Sequence, residues 1–268
     1  MGDNSFKKQP VTIRIGRDSL SFSVLSGKDN DSVVFEPYVV KSGVSMAANL
    51  REAFKSVSLL QHAGSKVRVL LDTDVLMVPV ELFEEKTMAD MYNHAFTKKD
   101  QDLVYYNVIP DLNAVALFSM NRDLRLVIDD HFKEVTLIVA VSPVWRHLHQ
   151  RSYTGPRNKL FGYFHEKKLE IFSFHQNRFK YCNSFEASRA QDSLYFLLYV
   201  WKQLQLKPTY DELHVVGDLP EPQWLIEQLR RYMQNVYIVN PSADFGKEFM
   251  AEVKGMPYDL QTLYAKGR

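Results

Sequence analysis

The chain has 268 residues, 46% of them hydrophobic and 24% charged, and its 33 basic side chains nearly balance 32 acidic ones for a formal net charge of +1. That is the composition of a folded globular protein of one large or two ordinary domains, able to bury a core without disulfide or metal. It lacks the strong basic excess of a sequence-independent nucleic-acid binder, so nucleic acid is not the expected partner. The lone cysteine, Cys182, can form no intrachain disulfide, which fits a reducing compartment.

Residues 1–10 are polar and read as no secretory signal. The most apolar stretches, 135–141 and 194–201, are far shorter than the ~20 residues that cross a bilayer. The expectation is a soluble, cytoplasmic protein without direct membrane insertion.

Residues 11–15 and 20–25 are short apolar runs around Gly16 and read as a β-hairpin, with 33–40 as a third strand rich in β-branched residues. Residues 46–62 switch to helical spacing, with Met46, Leu50, Phe54 and Val57 on one face and Gly64 as the stop. A buried strand follows at 67–71, then a helical insertion at 81–96 after Pro79. Strands at 102–109 and 114–120, a helix at 123–132 and a strand at 135–141 complete this half. The second half runs as a three-strand meander (159–164, 169–174, 179–185), a long helix at 187–206, a strand at 213–216, a helix at 221–234 with Pro222 in its first turn, and a strand at 236–239. In the meander Tyr163 and Phe164 are adjacent, so they point to opposite faces, and one of them is expected either to serve an interface or, equally, to be buried under the first half.

Each half therefore reads as three strands, helix, strand, helix, strand, an order that implies a mixed sheet. The expected organisation is a first half over 1–145 with a helical insertion near 81–96, a linker at 146–158 holding Gly155 and Pro156, a second half over 159–245, and an extension over 246–268. The extension is polar and reads as a docking tail, with Tyr258, Leu260, Leu263 and Tyr264 spaced to share one side of a short helix.

This doubled order resembles two ribonuclease H-like halves in tandem, the α/β architecture of the actin-like ATPases, with mixed sheets flanked by helices. Ile13-Arg14-Ile15 followed by Leu20-Ser21-Phe22-Ser23, and Val78-Pro79 with Leu82-Phe83, are similar to a family of uncharacterised Bacteroidetes proteins with a degenerate form of that fold. The resemblance implies phosphate-binding turns in each half, with an aspartate on the first strand and glycines in the turn. The aspartate position falls at about Arg14, which cannot ligate Mg²⁺, and only Gly16 remains of the glycines. The second hairpin, from Phe161 to Leu169, has neither aspartate nor turn glycine. The adenosine segment keeps Gly217, but Asp218 stands at its second glycine. A two-metal nuclease site fails at the same first strand, which has no acid.

No other motif supplies chemistry. His147-x-His149 lacks a third ligand, and Arg146, His147, His149, Arg151, Arg157 and Lys159 form a local basic cluster that reads as a solvated linker. There is no Gly-x-Ser-x-Gly elbow and no Walker A loop. The sequence thus points to no catalytic residue, metal or cofactor. The first reading is a non-catalytic binding or scaffold protein with a protein partner or a homodimer. The alternative is a nucleotide or small-molecule binding protein or enzyme with a rebuilt site between the halves, using Arg17, Asp18, Ser19, His165, Glu166, Gly217 and Asp218.

Overall fold

The structure is a computed structural model that describes residues 10–26, 32–97, 101–153, 155–241 and 253–265. It divides into two compact units. The first lies within Met1–Ile109, Ala114–Pro143 and Lys247–Lys266, and the second within Pro110–Asn113 and Val144–Gly246.

The first unit runs in chain order β1 (Val11–Ile15), β2 (Leu20–Ser26), β3 (Ser32–Tyr38), α1 (Met46–Ser56), α2 (Ser58–Gln61), β4 (Lys66–Leu71), β5 (Val75–Pro79), α3 (Met88–Ala95), β6 (Asp102–Ile109), β7 (Ala114–Asn121), α4 (Arg122–Asp129) and β8 (Glu134–Val139). Its main sheet has the order β3-β2-β1-β4-β8. The meander β1–β3 is antiparallel, with Ile13 opposite Phe22, and β4 and β8 join in parallel, with Ile13 opposite Val69 and Val69 opposite Leu137. Parallel neighbours need crossover segments, which α1, α2 and α4 provide. The Ser45 side chain caps α1 by accepting from the Ala48 N–H, and the Asn121 side chain caps α4. The single helix expected at 46–62 is broken at Val57, whose extended backbone separates α1 from α2.

The insertion is larger than the helix expected at 81–96. It is a second sheet of order β5-β7-β6, and its helix covers only Met88–Ala95 after two short 3-10 turns. One face packs Val78, Val115 and Leu117 against Tyr92 of α3. Asn107 of β6 couples this sheet to the main one: its amide accepts from the Val139 N–H at 3.0 Å and donates to the Leu137 carbonyl at 2.9 Å. The amide thereby satisfies backbone groups of β8 that an edge strand would otherwise leave to solvent.

The second unit opens with α5 (Ser142–Ser152), followed by β9 (Lys159–His165), β10 (Lys168–His175), β11 (Arg178–Glu186), α6 (Ala190–Gln203), β12 (Glu212–Gly217), α7 (Pro222–Tyr232) and β13 (Asn235–Ile238). Its sheet order, β11-β10-β9-β12-β13, repeats that of the first sheet element for element. Leu160, Phe164, Leu169, Ile171 and Val215 pack with Leu197 and Trp201 of α6 and Leu225 and Leu229 of α7. Tyr163 and Phe164 are both buried, so of the two alternatives for this pair the exposed interface residue is the one that fails. The expected linker is in large part helical. Trp145 and Leu148, three residues apart on α5, are both buried, as helical periodicity requires.

The polar extension is the largest departure from the sequence reading. Residues Tyr258–Tyr264 form α8, which belongs to the first unit. Met256, Tyr258, Asp259, Leu260, Thr262 and Tyr264 are buried, while Leu263 is only half-buried. The helix lies on the face of the sheet that carries Thr12, Arg14 and Ser23, because the Tyr264 hydroxyl donates to Thr12 Oγ1 at 2.8 Å and meets Ser23 Oγ at 2.9 Å. Alternation along β1 and β2 predicts one solvated face, yet every residue of β1 is buried, since α8 covers that face. Burial pushes the Tyr264 hydroxyl above its ordinary pKa, so it stays protonated and able to donate. Tyr264→Phe strands two buried hydroxyls and should cost about 1–3 kcal/mol in chemical denaturation. A loss below the scatter of surface substitutions would mean that α8 does not hold this face.

Candidate functional site

Arg14 is the residue around which the first unit's candidate site is built. The alternation of β1 places Val11, Ile13 and Ile15 on one face and Thr12 and Arg14 on the other. The guanidinium Nε lies 2.9 and 3.0 Å from the two carboxylate oxygens of Asp259, and Nη2 lies 2.8 Å from Oδ2. Nη1 donates to Ser19 Oγ at 2.9 Å. The Arg14 and Asp259 side chains are 3% and 0% exposed. A forked, charge-assisted pair of this kind has the geometry that offsets the desolvation of both ions. Arginine therefore stands where the resemblance expects an acid, and its fork is already engaged by a carboxylate from the same chain.

The neighbouring turn is closed by the Gly16 N–H donating to the Ser19 carbonyl at 2.9 Å. Of the three candidates in it, Ser19 is drawn inward to Arg14, while Arg17 and Asp18 are exposed at the tip.

The other four candidates converge at one end of the second sheet. His165 and Lys168 face each other across a two-residue turn in which Glu166 and Lys167 both have positive φ, 45° and 65°. That pattern gives the type I′ geometry that joins twisted strands, reached here without glycine and at some backbone cost. His165 is buried, its ring is stacked on Tyr163 at 4.5 Å, and its Nε2 lies 3.5 Å from Glu170 Oε1. Gly217 pairs with Phe164 at a φ of 97°, and a Cβ there would lie 2.0 Å from the Phe164 carbonyl oxygen. The Asp218 N–H donates to that same oxygen at 2.9 Å, and its side chain points to an exposed position. Gly217 is thus required by the approach of β12 to β9.

The remaining motifs resolve into structural roles. His147 and His149 sit on a helix, about 200° apart around its axis, so they do not share the face that an extended segment would give them. His149 Nε2 meets the Gln176 carbonyl at 2.8 Å and the Tyr153 hydroxyl at 3.1 Å. Among the described residues no group of three His, Cys, Asp or Glu side chains is placed to hold a metal ion. The basic cluster is divided among acidic partners: Arg146 with Asp111, and Arg157 and Lys159 with Glu212. Burial, with Glu170 nearby, pushes the Cys182 thiol well above its ordinary pKa and away from nucleophile chemistry.

Sequence reasoning missed Asp259. The available signal was Arg14 itself, a cation in mid-strand between two apolar residues, which folding can bury only against an anion.

Two β3-β2-β1-β4-β8-type sheets in one chain, flanked by helices, define a protein of actin-like ATPase fold with tandem ribonuclease H-like halves. Residues 4–236 match the family described as "Protein of unknown function (DUF3822)", and the chain belongs to that family. It is similar to a Bacteroides thetaiotaomicron protein described as having an actin-like ATPase fold and unknown function, at 25% identity and a TM-score of 0.86, covering 100% of this chain and 99% of the other. It also shares its fold with the PilM-PilN type IV pilus biogenesis complex, at 13% identity and a TM-score of 0.63, over 97% and 98% of the two chains. No curated protein matches the sequence.

Two substitutions test these assignments. Asp259→Asn leaves the Arg14 cation buried without its counter-charge and should cost about 3–5 kcal/mol, while the double variant Arg14→Met, Asp259→Leu should recover most of that loss. Denaturant titration of the three chains reads the difference, and a single variant as stable as the double one would show that the pair is not a coupled unit. Separately, Gly217→Ala should destabilise by about 1–3 kcal/mol through its left-handed backbone and carbonyl clash. A fully stable Gly217→Ala protein would return that glycine to the list of ligand-binding candidates.

Proposed function

We propose that the chain is a non-catalytic binding or scaffold protein of the cytoplasm, a pseudo-enzyme on a duplicated fold that acts through protein–protein contacts. One observation carries this reading. Arg14 stands at the expected acid position of the first hairpin, and Asp259 already occupies its guanidinium. A phosphate approaching there would have to displace a buried carboxylate, and a metal ion would meet a cation. The second hairpin turn is built from Glu166 and Lys167, without the turn glycine whose backbone N–H groups reach a phosphate on this architecture. Among the described residues no helix is long and apolar enough to cross a membrane. The likeness to the PilM-PilN complex supports the choice of partner class, because there the same fold takes part in a complex with another protein.

The halves are proposed as the working domains, 1–145 and 159–245, with the tail serving the first of them. A second reading is a small-molecule binder using His165, Glu166, Gly217 and Asp218, and it draws on the convergence of those four at one end of the second sheet.

Calorimetric titration with MgATP separates the two. The scaffold reading expects no association tighter than a Kd of about 1 mM, or about −4 kcal/mol. A micromolar Kd that is lost on substitution of Asp18 or Asp218 would replace it with the ligand-binding reading.

A further inference from the structure

The outer face of α6 is symmetric about its own midpoint. Its exposed residues are Gln191, Asp192, Tyr195, Tyr199, Lys202 and Gln203. They fall in pairs equidistant from Leu197: glutamine with glutamine, tyrosine with tyrosine, and aspartate with lysine. At about 100° per residue they form one stripe about 120° wide, and the buried Leu197 lies opposite its middle. Tyrosines hold the centre and polar side chains the two ends, the layout of a contact patch with an aromatic middle and a polar rim.

A helix that only covers a core carries polar residues outside. Tyr195 and Tyr199 are instead 62% and 47% exposed. Their rings stack at 6.0 Å, Tyr195 meets Phe196 edge-on at 5.4 Å, and Phe196 stacks on Phe185 of β11 at 4.4 Å. The exposed rings are thus braced by the fold, which lowers the entropy lost on making a contact. Asp192 and Lys202 lie about 15 Å apart along the axis, too far to pair with each other. Among the described residues neither forms an ion pair within the chain. A second α6 laid antiparallel would set Asp192 against the partner's Lys202, and Tyr195 against the partner's Tyr199, with the same contacts repeated in reverse. That reciprocity is what a closed two-fold interface requires. A parallel helix would set Asp192 against the partner's Asp192, and the antiparallel one also opposes the two helix dipoles.

We propose that the exposed stripe of α6 is a homodimer surface, on which a second copy of this chain docks its own α6 antiparallel about a two-fold axis at the level of Leu197. The inference rests on the protein-binding reading above and names its surface and its partner. Four tyrosines form the centre, and two Asp192–Lys202 pairs at the ends fix direction and register. One helix pair makes a small interface, so the dimer is concentration-dependent.

Charge reversal on the full chain, read by sedimentation equilibrium, tests it. Both charged positions are exposed, so their variants keep the core. Asp192→Lys makes both ends of the stripe basic and Lys202→Asp makes both acidic. Each homodimer then holds two like-charge contacts, and its Kd should rise about tenfold or more. The double variant Asp192→Lys, Lys202→Asp restores both pairs and should recover wild-type association. An equimolar mixture of the two single variants also matches both pairs, and should give a 1:1 heterodimer tighter than either homodimer. Tyr195→Ser with Tyr199→Ser should abolish the dimer while the chain stays folded by circular dichroism. A wild-type chain that stays monomeric up to about 1 mM overturns the proposal and leaves the stripe to a partner of another sequence. A dimer indifferent to the single reversals overturns the surface, and one that neither the double variant nor the mixture restores overturns the antiparallel register. The scaffold reading fails on a different result, tight MgATP binding, so the two can be rejected independently.

Discussion

A guanidinium inside a β-sheet cannot remain there on packing alone. Its desolvation costs several kcal/mol, and only a carboxylate of good geometry offsets that. Arg14 lies on the central antiparallel-to-parallel strand of the first sheet, paired with β2 on one side and β4 on the other. Its counter-ion comes from 245 residues away, on α8. This one long-range pair obliges the chain to return to its first unit after completing the second. With it come the burial of Leu260 and Tyr258, the two hydroxyl contacts of Tyr264, and the closure of a sheet face that would otherwise be wet.

The same pair bears on chemistry. Nucleotide-hydrolysing sites on this architecture need an unobstructed strand end, an acid to organise a metal, and free turn N–H groups. Here the strand carries a cation already matched by the chain's own anion, and the Gly16 N–H is used within its turn. In the second unit the hairpin turn is formed by Glu166 and Lys167, and Gly217 is accounted for by the carbonyl of Phe164. The first turn is tied to the fold through Ser19 and Arg14, and the second is closed by two residues of positive φ.

The sheets themselves show how strongly local pattern constrains topology. Both halves follow the order of an antiparallel meander followed by two parallel strands, and the helices fall at the crossovers that parallel pairing requires. The insertion departs from a simple repeat, yet it attaches by a side-chain device. The Asn107 amide satisfies the backbone of β8 at two points, so an additional sheet is joined to the outer strand without extending its ladder.

Periodicity and composition in the sequence determined the α/β class, the doubled element order and the presence of a cation, Arg14, in mid-strand, because each of these is written in residues close along the chain. The β-branched meanders, the amphipathic α6 and α7, and Gly16 in its turn were legible for that reason. Tertiary structure alone decided what pairs with Arg14, where the tail goes, and why Gly217 is a glycine. Asp259 and Arg14 are separated by almost the whole chain, and no local pattern specifies which carboxylate a buried cation will find. The tail looked polar because its buried residues include Asp259, whose burial is favourable only once Arg14 on the sheet is in place, and Thr262, whose hydroxyl donates to the Asp259 carbonyl of the same helix. Residues 146–152 of the expected linker looked unstructured because their polar residues outnumber their apolar ones, and they are helical because Leu148 is buried together with Trp145, one turn before it. Sequence fixes the local conformational preferences, and the pairing of distant charges is settled only when folding brings their elements into contact.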